Sequence, residues 1–189
     1  MLGLAVASIV LLAFFLYNLG SFNGPSSAVD SSAATKSYQA AASSVVSSLA
    51  GNAPPGYAQG ASKELSPDEP GIVSGAFSLF SNQAGALANV TILVFDGQGS
   101  AQRYVDSVIS NAKALSGYSN SNSTLTAYQA YGTCYGYAES DPGGGGAVAN
   151  GVCTKGNVYI QVHLASVASL PSAEGDVSSF LGAAYGALD

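Results

Sequence analysis

The first charged side chain in this sequence is Asp30; residues 1–29 hold none. Within that stretch Leu2 to Leu19 reads LGLAVASIVLLAFFLYNL. Leu2, Leu4, Val6, Ile9, Val10, Leu11, Leu12, Phe14, Phe15, Leu16 and Leu19 make it almost continuously apolar. Eighteen helical residues span about 27 Å, close to the roughly 30 Å hydrocarbon core of a bilayer. Tyr17 and Asn18 fall where an interfacial belt begins. The length suits a retained membrane helix, whereas a secretory signal has a shorter apolar core and a basic start. Cleavage stays open as the alternative, because Pro25-Ser26-Ser27-Ala28 offers small residues for a signal peptidase.

Neither flank carries a nearby Lys or Arg, so orientation has to be read from other features. Cys134 and Cys153 are the two cysteines of the chain, and beside an export segment they favour a disulfide in an oxidising compartment. Asn89-Val90-Thr91 and Asn122-Ser123-Thr124 match the N-glycosylation pattern, with Asn89 and Asn122 as acceptors. The expectation is a single-pass protein of the cell membrane, or an extracellular filament, with its C-terminal part outside the cytoplasm.

Charge excludes other classes. Only 8% of the residues are charged, against about 25% in ordinary soluble proteins. Five Lys or Arg against eleven Asp or Glu give a net charge of −6, which rules out a basic nucleic-acid binder. One His, one Met and no Trp leave little material for a metal or cofactor site, and none is expected.

The chain divides by composition. Gly20 to Pro25 is dense in helix breakers and closes the hydrophobic segment, residues 1–24. Residues 25–50 form a Ser/Ala-rich stalk, in which Tyr38, Ala41, Ala42, Val45, Val46 and Leu49 mark a narrow helical stripe. Residues 51–70, with Pro54-Pro55-Gly56, Gly60, Pro67 and Pro70, read as a linker. Residues 71–189 read as an extracytoplasmic α+β domain. Its strand signals lie at 72–81, 90–95, 125–138, around 152–154 and at 157–166. Helices are expected from Ser100 to about Ser116 and from Pro171 onward. Adjacent strand runs predict an antiparallel sheet of about four to five strands with two helices on one face.

Few residues here point to chemistry. A Cys134–Cys153 bridge would close the glycine-rich turn at 143–146, contributing roughly 3 kcal/mol. Those glycines lack the Lys-Ser/Thr of a phosphate loop and mark a hairpin tip. His163 shares a strand face with Tyr159 and Gln161, and no nucleophile accompanies it in sequence. Glu174 with Asp176, like Asp68 with Glu69, reads as solvated charge, so no catalytic residue is expected. Tyr131, Tyr135 and Tyr137 stand on one side of a strand. Exposed, they would form an interaction surface; covered, they would pack the sheet beneath a helix.

In coarse order the layout resembles type IV pilins and pilin-like proteins. An apolar helix (Leu2 to Leu19) breaks near Gly24-Pro25 and continues at Ser31 to Ala50, before a loop, a sheet domain and a disulfide loop. The resemblance covers arrangement and no specific motif: no basic leader ending in Gly precedes the apolar run, and no Glu lies near its start. It implies helices bundled in a filament core, with domains displayed outside. The expected function is therefore a non-enzymatic, membrane-anchored surface structural protein. Its partners would be the lipid bilayer or copies of itself through the N-terminal helix, and other membrane or surface proteins. Two alternatives are an accessory subunit of a larger membrane or surface-layer complex, and an extracytoplasmic ligand-binding domain.

Overall fold

Apolar side chains on both faces of the run at 90–95, and the apolar row Val158, Ile160, Val162 and Leu164 of a second run, place those two runs in the middle of a covered sheet. They occupy that position in a computed structural model, which describes residues 38–66, 69–114, 134–140 and 147–189. The expected membrane segment, residues 1–24, lies outside the described residues. Among the described residues, no helix is long and apolar enough to cross a membrane.

The fold is α+β. Helix α1 (Ala42–Asn52) precedes strands β1 (Tyr57–Leu65), β2 (Ile72–Asn82) and β3 (Leu87–Phe95). Helix α2 (Gln98–Ala114) follows, then β4 (Cys134–Ser140), β5 (Ala147–Lys155), β6 (Val158–Val167) and helix α3 (Leu170–Gly186). The six strands form one sheet in the order β1-β2-β3-β6-β5-β4, and every neighbouring pair is antiparallel. Two three-stranded meanders thus meet at their last strands. Val90 lies opposite Val162 and Ile92 opposite Ile160, all four of them buried.

Three expectations need correction. The sheet has six strands rather than four to five, because part of the 51–70 segment is an edge strand and not a linker. Gly56, at φ 90°, turns the chain from Pro54 into β1, with the Tyr57 amide bonded to the Pro54 carbonyl at 3.1 Å. Most of β1 is exposed on both faces, so it never needed the alternation by which strands are recognised. The described part of the expected stalk is likewise no spacer. Ala42, Val45, Val46 and Leu49 of α1 are buried in the same core as Phe80, Ile160 and Phe180.

The third correction concerns the helices. The two expected over the domain lie on opposite faces of the sheet. α1 and α3 cover one face, where Val177, Phe180, Leu181 and Ala184 meet Val90, Ile92, Val162 and Leu164. Ala101, Val105 and Val108 of α2 meet Leu93, Phe95, Tyr135, Val152 and Tyr159, which alternate to the other side. α2 also begins earlier than expected, at Gln98, so Ser100 sits in its first turn and accepts a 3.1 Å bond from Arg103. Ser169 caps α3, and Pro171 occupies its first turn as its missing N–H allows.

Candidate functional site

Strand register decides where the chemistry-bearing residues fall. Cys134 and Cys153 are direct cross-strand partners on β4 and β5, 4.1 Å apart at Cα, and they form the expected disulfide. Both are buried, and Cys153 is wholly so. The bridge is therefore part of the core and not a surface staple. Tyr185 of α3 reaches it, with its hydroxyl 3.5 Å from the Cys134 sulfur and donating to the Thr154 carbonyl at 2.8 Å.

The tyrosine row is placed only in part. Tyr135 is buried, 8% exposed, and packs with the α2 cluster, so it offers no recognition surface. Tyr137 lies two residues along the same strand; its side chain, like Tyr131 and Asn122, is outside the described residues. Asn89 stands mid-strand in β3, between Leu79 of β2 and His163 of β6. Its carboxamide oxygen is buried without a hydrogen-bond partner. As a glycosylation acceptor it is thus set within a hydrogen-bonded sheet, not on a loop.

A polar row crosses the sheet at that level. Asn89, His163 and Asn150 occupy successive strands β3, β6 and β5 on the α2 face. The imidazole Nδ1 lies 2.7 Å from the Asn150 carboxamide oxygen, which accepts, so the proton sits on Nδ1. Burial lowers the His163 pKa to about 4, and the ring is neutral at pH 7. The partner is a neutral carboxamide, which supplies no charge to stabilise an imidazolium as a carboxylate would. Among the described residues, no group of three or more His, Cys, Asp or Glu is placed to hold a metal ion.

A further polar constellation was not singled out in the sequence. It forms at the two-residue turn between β5 and β6, where Gly156 has φ 60° and Asn157 follows. The Asn157 carboxamide accepts from the Tyr38 amide at 2.6 Å and donates to the carbonyls of Tyr38 (3.1 Å) and Phe95 (2.8 Å). Beside it Lys155, only 3% exposed, donates from Nζ to the Tyr185 carbonyl at 2.9 Å and to the Asp189 carboxylate at 2.7 Å. The rings of Tyr38 and Tyr185 flank the same ammonium, with centroids at 5.4 and 5.3 Å. One hairpin turn therefore gathers the arm before α1, the end of α3 and the disulfide hairpin. A basic residue in a glycine turn gave no hint of this, since Tyr38 is 117 residues away from Lys155.

The arm also borders a cleft of about 320 Å³, walled by Tyr38–Ala41, Val73, Ser74, Val94, Phe95, Asp96 and Asn157. Val73 is 69% exposed at its rim. The Ser74 hydroxyl accepts from the first amide of α1, Ala42, at 3.1 Å and supplies the cap that Ala41 cannot. Elsewhere, Tyr57 donates to Asp176 at 2.8 Å, so that carboxylate ties α3 to β1 and is not simply solvated. Desolvation raises the Tyr57 pKa, and the Asp176 bond raises it further. Burial, with Glu69 nearby, pushes Tyr104 up to about 12. No known protein-family model matches the chain. Among curated proteins none is significantly similar to it.

Proposed function

We propose that this chain is a non-enzymatic, membrane-anchored structural protein of the cell surface, its folded domain held outside the cytoplasm. The observation that carries this reading is the Cys134–Cys153 disulfide, built into the core of a chain that begins with an uncharged apolar segment. A buried bridge persists in an oxidising compartment, and the apolar segment is the means of reaching one and staying there. The arm supports the same reading: Tyr38 is pinned by Asn157, and α1 is packed in the core. The arm before α1 is thus fixed to the domain at Tyr38, which suits a subunit displayed from a filament or membrane. The pilin-like filament subunit is the preferred form of this proposal.

The mature protein tests it first. Membrane fractionation, intact mass and thiol labelling should give an uncleaved, membrane-associated chain without free thiols. A mature start near Val29, or reduced cysteines in cells, would overturn the anchored-surface reading. Electron microscopy of cells with and without the protein then tests the filament form. Loss of one filament class supports it, and unchanged filaments leave the accessory-subunit form in its place. The ligand-binding alternative draws on the cleft beside Tyr38, and substitutions at Val73 and Ser74 are its direct probe.

A further inference from the structure

The Lys155 ammonium is almost wholly enclosed, and a buried cation is stable only where opposite charge and hydrogen-bond acceptors meet it. Its surroundings divide into fixed and exposed parts. The Tyr185 carbonyl and ring are held from behind by the Tyr185 hydroxyl bond to Thr154. The Tyr38 ring is held through its backbone bonds to Asn157. The charge partner, Asp189, is different. It lies beyond the last residue of α3, with its side chain 64% exposed against 4% for Lys155. The receiving pocket is built into the core, whereas its resident carboxylate sits at the surface.

We propose that this pocket is a carboxylate-binding site, that Asp189 is its exchangeable resident, and that an acidic group of a partner takes its place. The chemistry favours carboxylate. One ammonium beside a backbone carbonyl provides a single positive charge, and the carbonyl dipole opposes a doubly charged group such as phosphate. The two tyrosine rings flank the ammonium and stabilise the cation while the oxygens exchange. Tyr38 belongs both to the pocket and to the arm before α1. Exchange at Lys155 is therefore felt at Tyr38, in the arm before α1. The proposal concerns the folded domain and does not depend on the filament reading.

Chemical rescue in the full chain tests it. Asp189→Ala should lower the unfolding temperature by several degrees, since it strands a buried charge. Sodium acetate should restore most of that loss saturably, while sodium chloride and sodium phosphate at equal ionic strength should not. Lys155→Met combined with Asp189→Ala should abolish the acetate response. In the wild-type chain, the same acetate concentrations should move the Asp189 carboxylate carbon resonance toward that of a solvated carboxylate. Acetate acting no better than chloride, a response that survives Lys155→Met, or an Asp189 signal unmoved at rescuing concentrations would each overturn the proposal.

Discussion

The two faces of the sheet are closed by different means. The face under α1 and α3 is apolar along nearly its whole length, from Phe80 and Phe180 at one end to Val158 and Leu188 at the other. Phe180 packs edge-on against Tyr57 at 5.0 Å and tilted against Phe80 at 5.1 Å. The α2 face is mixed. Its apolar cluster, with Tyr104 edge-on to Tyr159 at 4.9 Å, gives way four residues along the strands to Asn89, His163 and Asn150. One face maximises burial. The other joins a smaller core to a half-buried polar row, whose enclosed atoms must make hydrogen bonds or cost stability.

The largest break in this comparison should come from Phe180→Ala, which empties the centre of the α1/α3 face. A loss of about 3–5 kcal/mol is expected in urea unfolding, as for other large-to-small core changes. Replacing both cysteines with Ala should cost roughly 3 kcal/mol by the chain-entropy account. Hydrogen exchange in β4 and β5 should then accelerate before that in β3, since the bridge lies at the margin of the sheet. Equal acceleration in both would show that the bridge supports the whole core.

The polar row is read through pH. The folded-state pKa of His163 is lowered to about 4 from 6.5, so the unfolded chain binds more protons between those values. Its contribution is full above pH 6.5 and is lost progressively as pH falls toward 4. The loss is at most about 3 kcal/mol, and less to the extent that water reaches the ring. His163→Gln keeps a partner for Asn150 and should flatten that part of the urea-midpoint profile relative to wild type. Parallel profiles would show that the ring is solvated. On the same face Val108→Ala should cost only about 1–2 kcal/mol, two methylene equivalents at the edge of the smaller cluster.

The smallest effect lies near the end of β6, where its register with β5 shifts. Ser166 has φ 59°, a left-handed conformation that glycine adopts without strain. Ser166→Gly should raise stability by up to about 1 kcal/mol, after the greater backbone entropy of glycine in the unfolded chain. Thermal unfolding would detect it, and a decrease would mean that the Ser166 side chain stabilises this irregular step of β6.

Much of the sheet was legible because periodicity is local. Val90 to Phe95 read as buried on both sides and is so, and the apolar face of α3 follows its helical spacing. The edge strand β1 was missed because an exposed strand has no face to mark. The helix at 42–52 was seen but mistaken for a spacer, since a stripe of Ala, Val and Leu shows that something is covered without showing what covers it. At the candidate sites the cysteine pair was readable because the chain has just two cysteines and an apolar segment that suggested export. The Lys155 junction was not: its members at 38, 155, 157, 185 and 189 share no motif, and only folding brings them together.

Sequence alone determined the uncharged apolar start, the paired cysteines, the α+β class and the central strands, each of which depends on composition or on neighbours within a few residues. Tertiary structure decided which face each helix covers, that α1 belongs to the core, and that Tyr135 is buried rather than displayed. It also turned one of the chain's five basic residues into an enclosed charge. Those outcomes depend on strand order and register, which no local pattern encodes, because a side chain's surroundings are set by segments far away along the chain.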